Sequence, residues 1–341
     1  MMSSCRRFVL LVTSIAMLLA LAPVTHADGP YHFIKEIPIG GEGGWDYLAV
    51  DEASRRIYVS HATKVVVIDL DKDEVAGEIA DTPGVHGIAI APKLDRVFVS
   101  NGRESKASVV DSKTLATLMK VDTGPNPDAI LYEPSQQEVY TFNGRGKSAT
   151  VFAADSGKAV ATIELSGKPE FAVYDPSSGR VYNNIEDKSE VVAIDTKMHK
   201  VVDTWPIAPG ESASGMAFDA AHHRLFLGCD NKMMVMMDSA SGKVITNVPI
   251  GEGVDANAFD PATQLAFSSN GEGNVTIAHE DAPDKLTVVQ TLETERGART
   301  MTLDPSTHKI YLSSAKSEPA EPGQRRPKMV AGSFKVLVYG M

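Results

Sequence analysis

Seven times, at intervals of 40 to 44 residues, the chain repeats one phrase: a turn residue, most often Asp, is followed seven positions later by Tyr or Phe inside an apolar run. The pairs are Asp51/Tyr58, Ala91/Phe98, Glu133/Tyr140, Asp175/Tyr182, Asp219/Phe226, Asp260/Phe267 and Asp304/Tyr311. The offset of seven never slips, so each repeat is the same supersecondary unit. Short strands repeated at this period stack radially as four-stranded sheets, because one unit alone cannot bury its apolar face. The repeat therefore predicts an all-β chain folded as a seven-bladed β-propeller.

Turn residues divide each repeat into four strands. In the second unit, residues 87–90, 96–100, 107–110 and 115–121 read as strands, with turns at Pro92-Lys93-Leu94-Asp95 and Asp111-Ser112-Lys113. Asp-Pro at 175–176, 260–261 and 304–305 suits the first turn, since Pro presets the backbone angle and Asp accepts local hydrogen bonds. The seventh third strand, residues 334–339, has no fourth strand after it. The run from Tyr31 to Gly40 matches the fourth-strand pattern of Lys243 to Gly251, so the N-terminal strand is expected to complete the last blade and remove its open edge.

Residues 1–27 stand outside the repeat. Arg6 and Arg7, the apolar run Phe8 to Val24 and the small-residue exit Thr25-His26-Ala27 read as a secretory signal peptide. Residues 28–341 then form a single propeller domain, expected to be exported, either periplasmic or secreted, and monomeric. No segment of it is long and apolar enough to span a bilayer. Without the leader, 31 basic side chains face 44 acidic ones, a formal charge of −13. That balance argues against nucleic-acid binding, where clustered Lys and Arg supply the affinity. Cys229 has no partner for an intramolecular disulfide and reads as a small buried apolar residue. The stretch 317–330, rich in Pro, Gly, Glu and Arg, reads as a loop insertion in the last blade.

The second-strand phrases Arg56-Ile57-Tyr58-Val59-Ser60, Arg96-Val97-Phe98-Val99-Ser100-Asn101-Gly102 and Lys309-Ile310-Tyr311-Leu312-Ser313 resemble the YVTN repeat. Val67-Ile68-Asp69 and Gly77-Glu78-Ile79 fit the same pattern. The chain resembles exported, YncE-like members of the YVTN β-propeller family over essentially all of residues 28–341. The resemblance implies the fold; related seven-bladed propellers include lactonases and streptogramin lyases, and some YncE-like proteins are associated with DNA.

Five residues before each turn position stand Asp46, His86, Asp128, Glu170, Ser214, Asp255 and Arg299. In a propeller this position falls at the mouth of the central channel, and packing alone does not call for seven polar residues there. They form the candidate ligand site for a small polar molecule, set against a channel rim that is simply solvated. Four carboxylates gathered together repel unless a cation, a proton or Arg299 compensates them. Asp46, Asp128, Glu170 and Asp255 are thus candidate ligands for a divalent cation, the one candidate cofactor. An enzyme built on the same rim, a metal-assisted lyase or lactonase, would use His86 as general acid or base and Arg299 to stabilise negative charge. The second-to-third loops add His61, Asn101, Arg103, Asn143, Arg145, Glu186, Asp187, Asp230, Asn270 and Glu272 to this face, with Asn-Gly at 101–102, 143–144 and 270–271 reading first as tight turns.

Other signals are discounted. Asp69-Leu70-Asp71-Lys72-Asp73 starts like a calcium loop but lacks its turn Gly and closing Glu. Met233, Met234, Met236 and Met237 occupy a third strand and read as core. His222, His223 and His308 fall in turns on the opposite face and read as solvated. The leading expectation is a binding or scaffolding module that meets a polar ligand at the channel mouth or a protein partner. The alternative is the metal-assisted lyase or lactonase, and nucleic-acid binding comes third.

Overall fold

The computed structural model describes residues 29–318 and 328–341. The predicted signal peptide and residues 319–327 of the predicted insertion lie outside them. The described residues form seven four-stranded antiparallel sheets. Each innermost strand touches those of the two neighbouring sheets, and the first touches the seventh, which closes the ring. Blades are numbered here by the seven turn residues in chain order. Blade one comprises Trp45–Asp51, Arg56–His61, Lys64–Asp69 and Glu74–Ile79, from the channel outward.

Blade seven is assembled from both ends of the described chain. Met301–Asp304, Lys309–Ser314 and Lys335–Gly340 are completed by His32–Pro38, which pairs antiparallel with Lys335–Gly340 from His32↔Gly340 to Pro38↔Lys335. Tyr31 pins this strand. Its hydroxyl donates to His308 O (2.6 Å), and its backbone exchanges two hydrogen bonds with the Gln290 amide of blade six (3.0 and 2.7 Å). Its ring meets Phe267 edge-on at 5.2 Å.

The repeated aromatics explain the period. Tyr58, Phe98, Tyr140, Tyr182, Phe226, Phe267 and Tyr311 are all 0–1% exposed. Each packs into a cluster shared with the next blade: Tyr58 joins Val85, Val97 and Val99, Phe98 joins Val139 and Phe152, and Tyr311 joins Ile57, Val59 and Val66 across the closure. The hydrophobic core is therefore seven interfaces, and the aromatic of one blade fills the space left by its neighbour.

The turn acids act locally. Asp51, Asp175, Asp219, Asp260 and Asp304 each accept the backbone N–H two residues on, and Glu133 uses both oxygens for Ser135 and Gln136 N–H. Ala91 has no such side chain, and blade two substitutes a short 3-10 turn over Pro92–Leu94. The residue four after each turn position is left-handed in all seven blades: Arg55, Asp95, Gln137, Gly179, His223, Gln264 and His308, with φ between 53° and 66°. Six of the seven are not glycine, and the side-chain bonds of the turn offset that strain.

The Asn-Gly pairs do open tight turns, with the positive φ on Ser105, Lys147 and Gly273 rather than on the pairs themselves. Asn101, Asn143 and Asn270 are buried, and their amides bond to Ser108 Oγ (2.8 Å), Thr150 Oγ1 (3.0 Å) and Thr276 Oγ1 (3.2 Å) of the adjoining third strand. One reading is corrected: His222 and His308 are not merely solvated, since their Nδ1 atoms lie 2.7 Å from Asp219 and Asp260, both buried. Cys229, Met234, Met236 and Met237 are buried core residues, as their strand positions imply.

Candidate functional site

Six of the seven innermost strands carry a register break near their start: Trp45/Leu48, Val85/Ile88, Pro127/Ile130, Pro169/Ala172, Ala213/Met216 and Val254/Ala256. These breaks hold Asp46, His86, Asp128, Glu170, Ser214 and Asp255. A bulge removes ladder partners and turns a side chain out of the sheet, here toward the channel. Freed backbone groups need other partners, and second-strand Ser and Asn residues supply them. Asp46 N–H donates to Ser60 Oγ (2.8 Å), and Asn183 Nδ2 donates to Glu170 O (2.7 Å). Others reach the next blade: Ser100 Oγ donates to Asp128 O (2.5 Å), Asn184 Nδ2 to Ser214 O (3.0 Å), and Ser269 Oγ to Arg299 O. Gly87 lets blades two and three meet, since a Cβ there would sit 2.7 Å from Asp128 O.

All seven rim residues line one polar cavity of about 300 Å³, joined by Tyr47, Lys168, Glu186, Ala256, Thr300 and Met301. Tyr47 of blade one stacks on Phe171 of blade four at 5.5 Å with 25° between the rings. Those blades are not neighbours, so the pair spans the ring, and Tyr47 also lines the cavity. Lys168 and Tyr47 were not among the sequence candidates. Lys168 lies two positions before the repeat-equivalent residue, and nothing in the period marks it.

The carboxylates are compensated pairwise. His86 Nδ1 lies 2.6 Å from Asp46 Oδ2 and 3.8 Å from Asp128 Oδ1. Lys168 Nζ bridges Glu170 Oε1 and Glu186 Oε2, both at 2.5 Å, and Arg299 Nη1 is 3.0 Å from Asp255 Oδ2. The four carboxylates named as a cation site therefore do not converge as one set. Asp46 and Asp128 gather around His86, while Glu170 and Asp255 are engaged elsewhere. The donor atoms of Asp46, His86 and Asp128 lie within 4.8 Å of one another.

Electrostatics follow from this geometry. Burial works against the His86 imidazolium, but the hydrogen bond to Asp46 and the charges of Asp128, Asp46 and Glu170 prevail and raise its pKa to about 9. At neutral pH His86 is thus a hydrogen-bond donor carrying a charge. Burial, followed by the Asp46 charge, raises the Asp128 carboxyl against the pull of His86 and Lys168. Burial and Asp128 likewise raise Glu170 despite its contact with Lys168.

Of the second-to-third loop candidates, Glu186 reaches the cavity. His61 is buried, stacked on Phe334 at 4.1 Å, and burial lowers its pKa. Asp187 pairs with Lys147 (2.9 Å). Arg103, Arg145, Asp230 and Glu272 do not line the cavity.

No family model and no curated protein matches the sequence. Among solved structures, the hydrazine synthase of Kuenenia stuttgartiensis is similar at 16% identity and a TM-score of 0.68, over 86% of this chain and 95% of that one. The structure of U3-55K is similar at 9% identity and a TM-score of 0.76, covering 92% and 98%. The WD40 repeats of RRP9 are similar at 9% identity and a TM-score of 0.78, covering 92% and 99%. At such identities the likeness speaks for the fold alone: the chain is a seven-bladed β-propeller.

Proposed function

We propose that the protein is an exported, monomeric binding module of the YVTN-repeat, YncE-like kind, whose channel mouth holds a small polar ligand through a cationic group. One observation carries the ligand reading. The equivalent residue of every blade enters one cavity, where Asp46, Asp128, Glu170, Glu186 and Asp255 outnumber His86, Lys168 and Arg299 by five to three. Burial and mutual repulsion already raise Asp128 and Glu170, so an incoming cation relieves a strain present before binding. Tyr47, which also lines the cavity, suits the same kind of ligand, since aromatic rings attract cations. Export rests on the leader pattern of residues 1–27, and the family reading rests on the second-strand phrases.

The test is a thermal-shift titration with small amines (spermidine, choline, arginine) beside small carboxylates (acetate, malate). Saturable stabilisation by an amine, lost in both Asp128→Asn and Glu170→Gln, is the expected result. Stabilisation by carboxylates alone, or an amine effect that survives both substitutions, refutes the reading.

The metal-assisted lyase or lactonase remains the second reading, favoured by the Asp46–His86–Asp128 grouping. A metal there must displace the proton that His86 carries. Its sign is a divalent-cation shift abolished by His86→Ala, accompanied by turnover of a lactone substrate that the same variant loses.

A further inference from the structure

The face opposite the cavity carries the turn acids, and between blades five and six it brings together Asp219, His222 and Glu280. Asp219 shapes its turn, accepting N–H bonds from Ala221 (2.9 Å) and His222 (3.2 Å). Glu280 comes from the third strand of blade six, Asn274–Ala282. His222 Nδ1 lies 2.7 Å from Asp219 Oδ2 and 3.3 Å from Glu280 Oε1, and one donor atom from each residue lies within 4.8 Å of the other two.

Proximity here is not hydrogen bonding. The Glu280 side chain is fully buried, yet neither of its oxygens makes an aligned hydrogen bond; its close polar neighbours are His222 and the Asp219 carboxyl. His222 Nδ1 is buried as well and, despite its short separation from Asp219, also lacks such a bond. Blade seven supplies the contrast: His308 Nδ1 makes an aligned 2.7 Å bond to Asp260 Oδ2. The same residue types therefore form an aligned pair in one place and a close but unaligned cluster in the other. A buried carboxylate without an aligned hydrogen bond is costly, and burial, then the Asp219 charge and contact with the Asp219 carboxyl, raise Glu280 against the charge of His222. Arg224, whose charge also reaches Glu280, is itself bound to Asp238 (2.7 Å) and Pro283 O (2.6 Å). One imidazole nitrogen and two carboxylate oxygens are a donor set for a first-row divalent cation. The His222 side chain, 36% exposed, leaves a path in from solvent.

We propose that Asp219, His222 and Glu280 form a binding site for a divalent transition-metal cation of the zinc type, which ties blade five to blade six. The imidazole supplies a neutral Nδ1, both carboxylates bind ionised, and Glu280 gives up any proton it holds as the metal enters.

The experiment uses chelator-treated full-length protein carrying His86→Ala, so that the channel-mouth histidine does not contribute, with Asp128→Asn as a second parent should the first fold poorly. Calorimetric titration with zinc chloride at pH 7.5 is expected to show one equivalent bound, and a melting temperature that rises with zinc. Adding His222→Ala, in an exposed turn, is expected to weaken binding at least tenfold and remove the shift. Glu280→Gln is expected to do the same while leaving the metal-free protein folded. Absence of zinc uptake by the parent, as expected if Glu280 and Asp219 share a proton instead, overturns the proposal. Zinc affinity within twofold of the parent in His222→Ala also overturns it.

Discussion

Replacing His86 by Gln removes the one cation between Asp46 and Asp128 while keeping a side chain of similar reach. The raised pKa sets the magnitude. The ordinary value of 6.5 becomes about 9 in the folded protein, and at 1.36 kcal/mol per pH unit that difference amounts to about 3 kcal/mol. The ring is still 29% exposed, so screening brings the working figure to about 2–3 kcal/mol. Because the folded value lies above the unfolded one, this stabilisation is complete below about pH 6.5. It drains away as the pH rises through about 9. The assay is denaturant unfolding of the native protein and His86→Gln at intervals from pH 6 to pH 10, with the imidazole titrated by NMR. The native protein should be more stable at pH 6, and the two curves should converge near pH 10. Parallel curves across that range, or an imidazole titrating near 6.5, would refute the idea that His86 is the resident cation between Asp46 and Asp128.

Three other outcomes are expected. Phe98→Ala empties one blade interface and should cost about 3–5 kcal/mol in denaturant unfolding, whereas Val289→Ala at an exposed site should fall within about 0.5 kcal/mol of the native protein. Tyr31→Ala should destabilise the whole ring in a single transition by about 3–5 kcal/mol, and Tyr31→Phe by about 1 kcal/mol for its bond to His308 O; an unchanged melting temperature in Tyr31→Ala would rule out the closing strand as a latch. The Cys229 thiol, buried and pushed up to about 12 by desolvation, should resist a disulfide reagent in the native protein and react once it is unfolded.

The period of the chain was enough to determine the architecture. Tyr or Phe seven residues after each turn is a local signal, and its spacing fixes both the unit and the number of units. The closing strand was legible for the same reason, because residues 31–40 repeat a pattern found in blade five. The rim was legible as a set, since equivalent positions of a closed repeat must share one radius and one height. Its internal pairing was not: whether His86 serves Asp46 or another acid depends on distances of a few ångströms across the ring, and no period records them. Tyr47 enters the cavity through the bulge between Trp45 and Leu48, and Lys168 from the residue just before its strand. Asn101, Asn143 and Asn270 turned out to be buried ties between strands, because the turn after them takes its left-handed residue three or four positions later. The contrast between His222 and His308 is the clearest case. Each stands near a turn acid in sequence, but only the approach of Glu280 from the next blade makes one a possible ligand and leaves the other a simple hydrogen-bond partner. Sequence determines what recurs within a blade; what happens between blades depends on side chains remote in the chain and is decided when the ring closes.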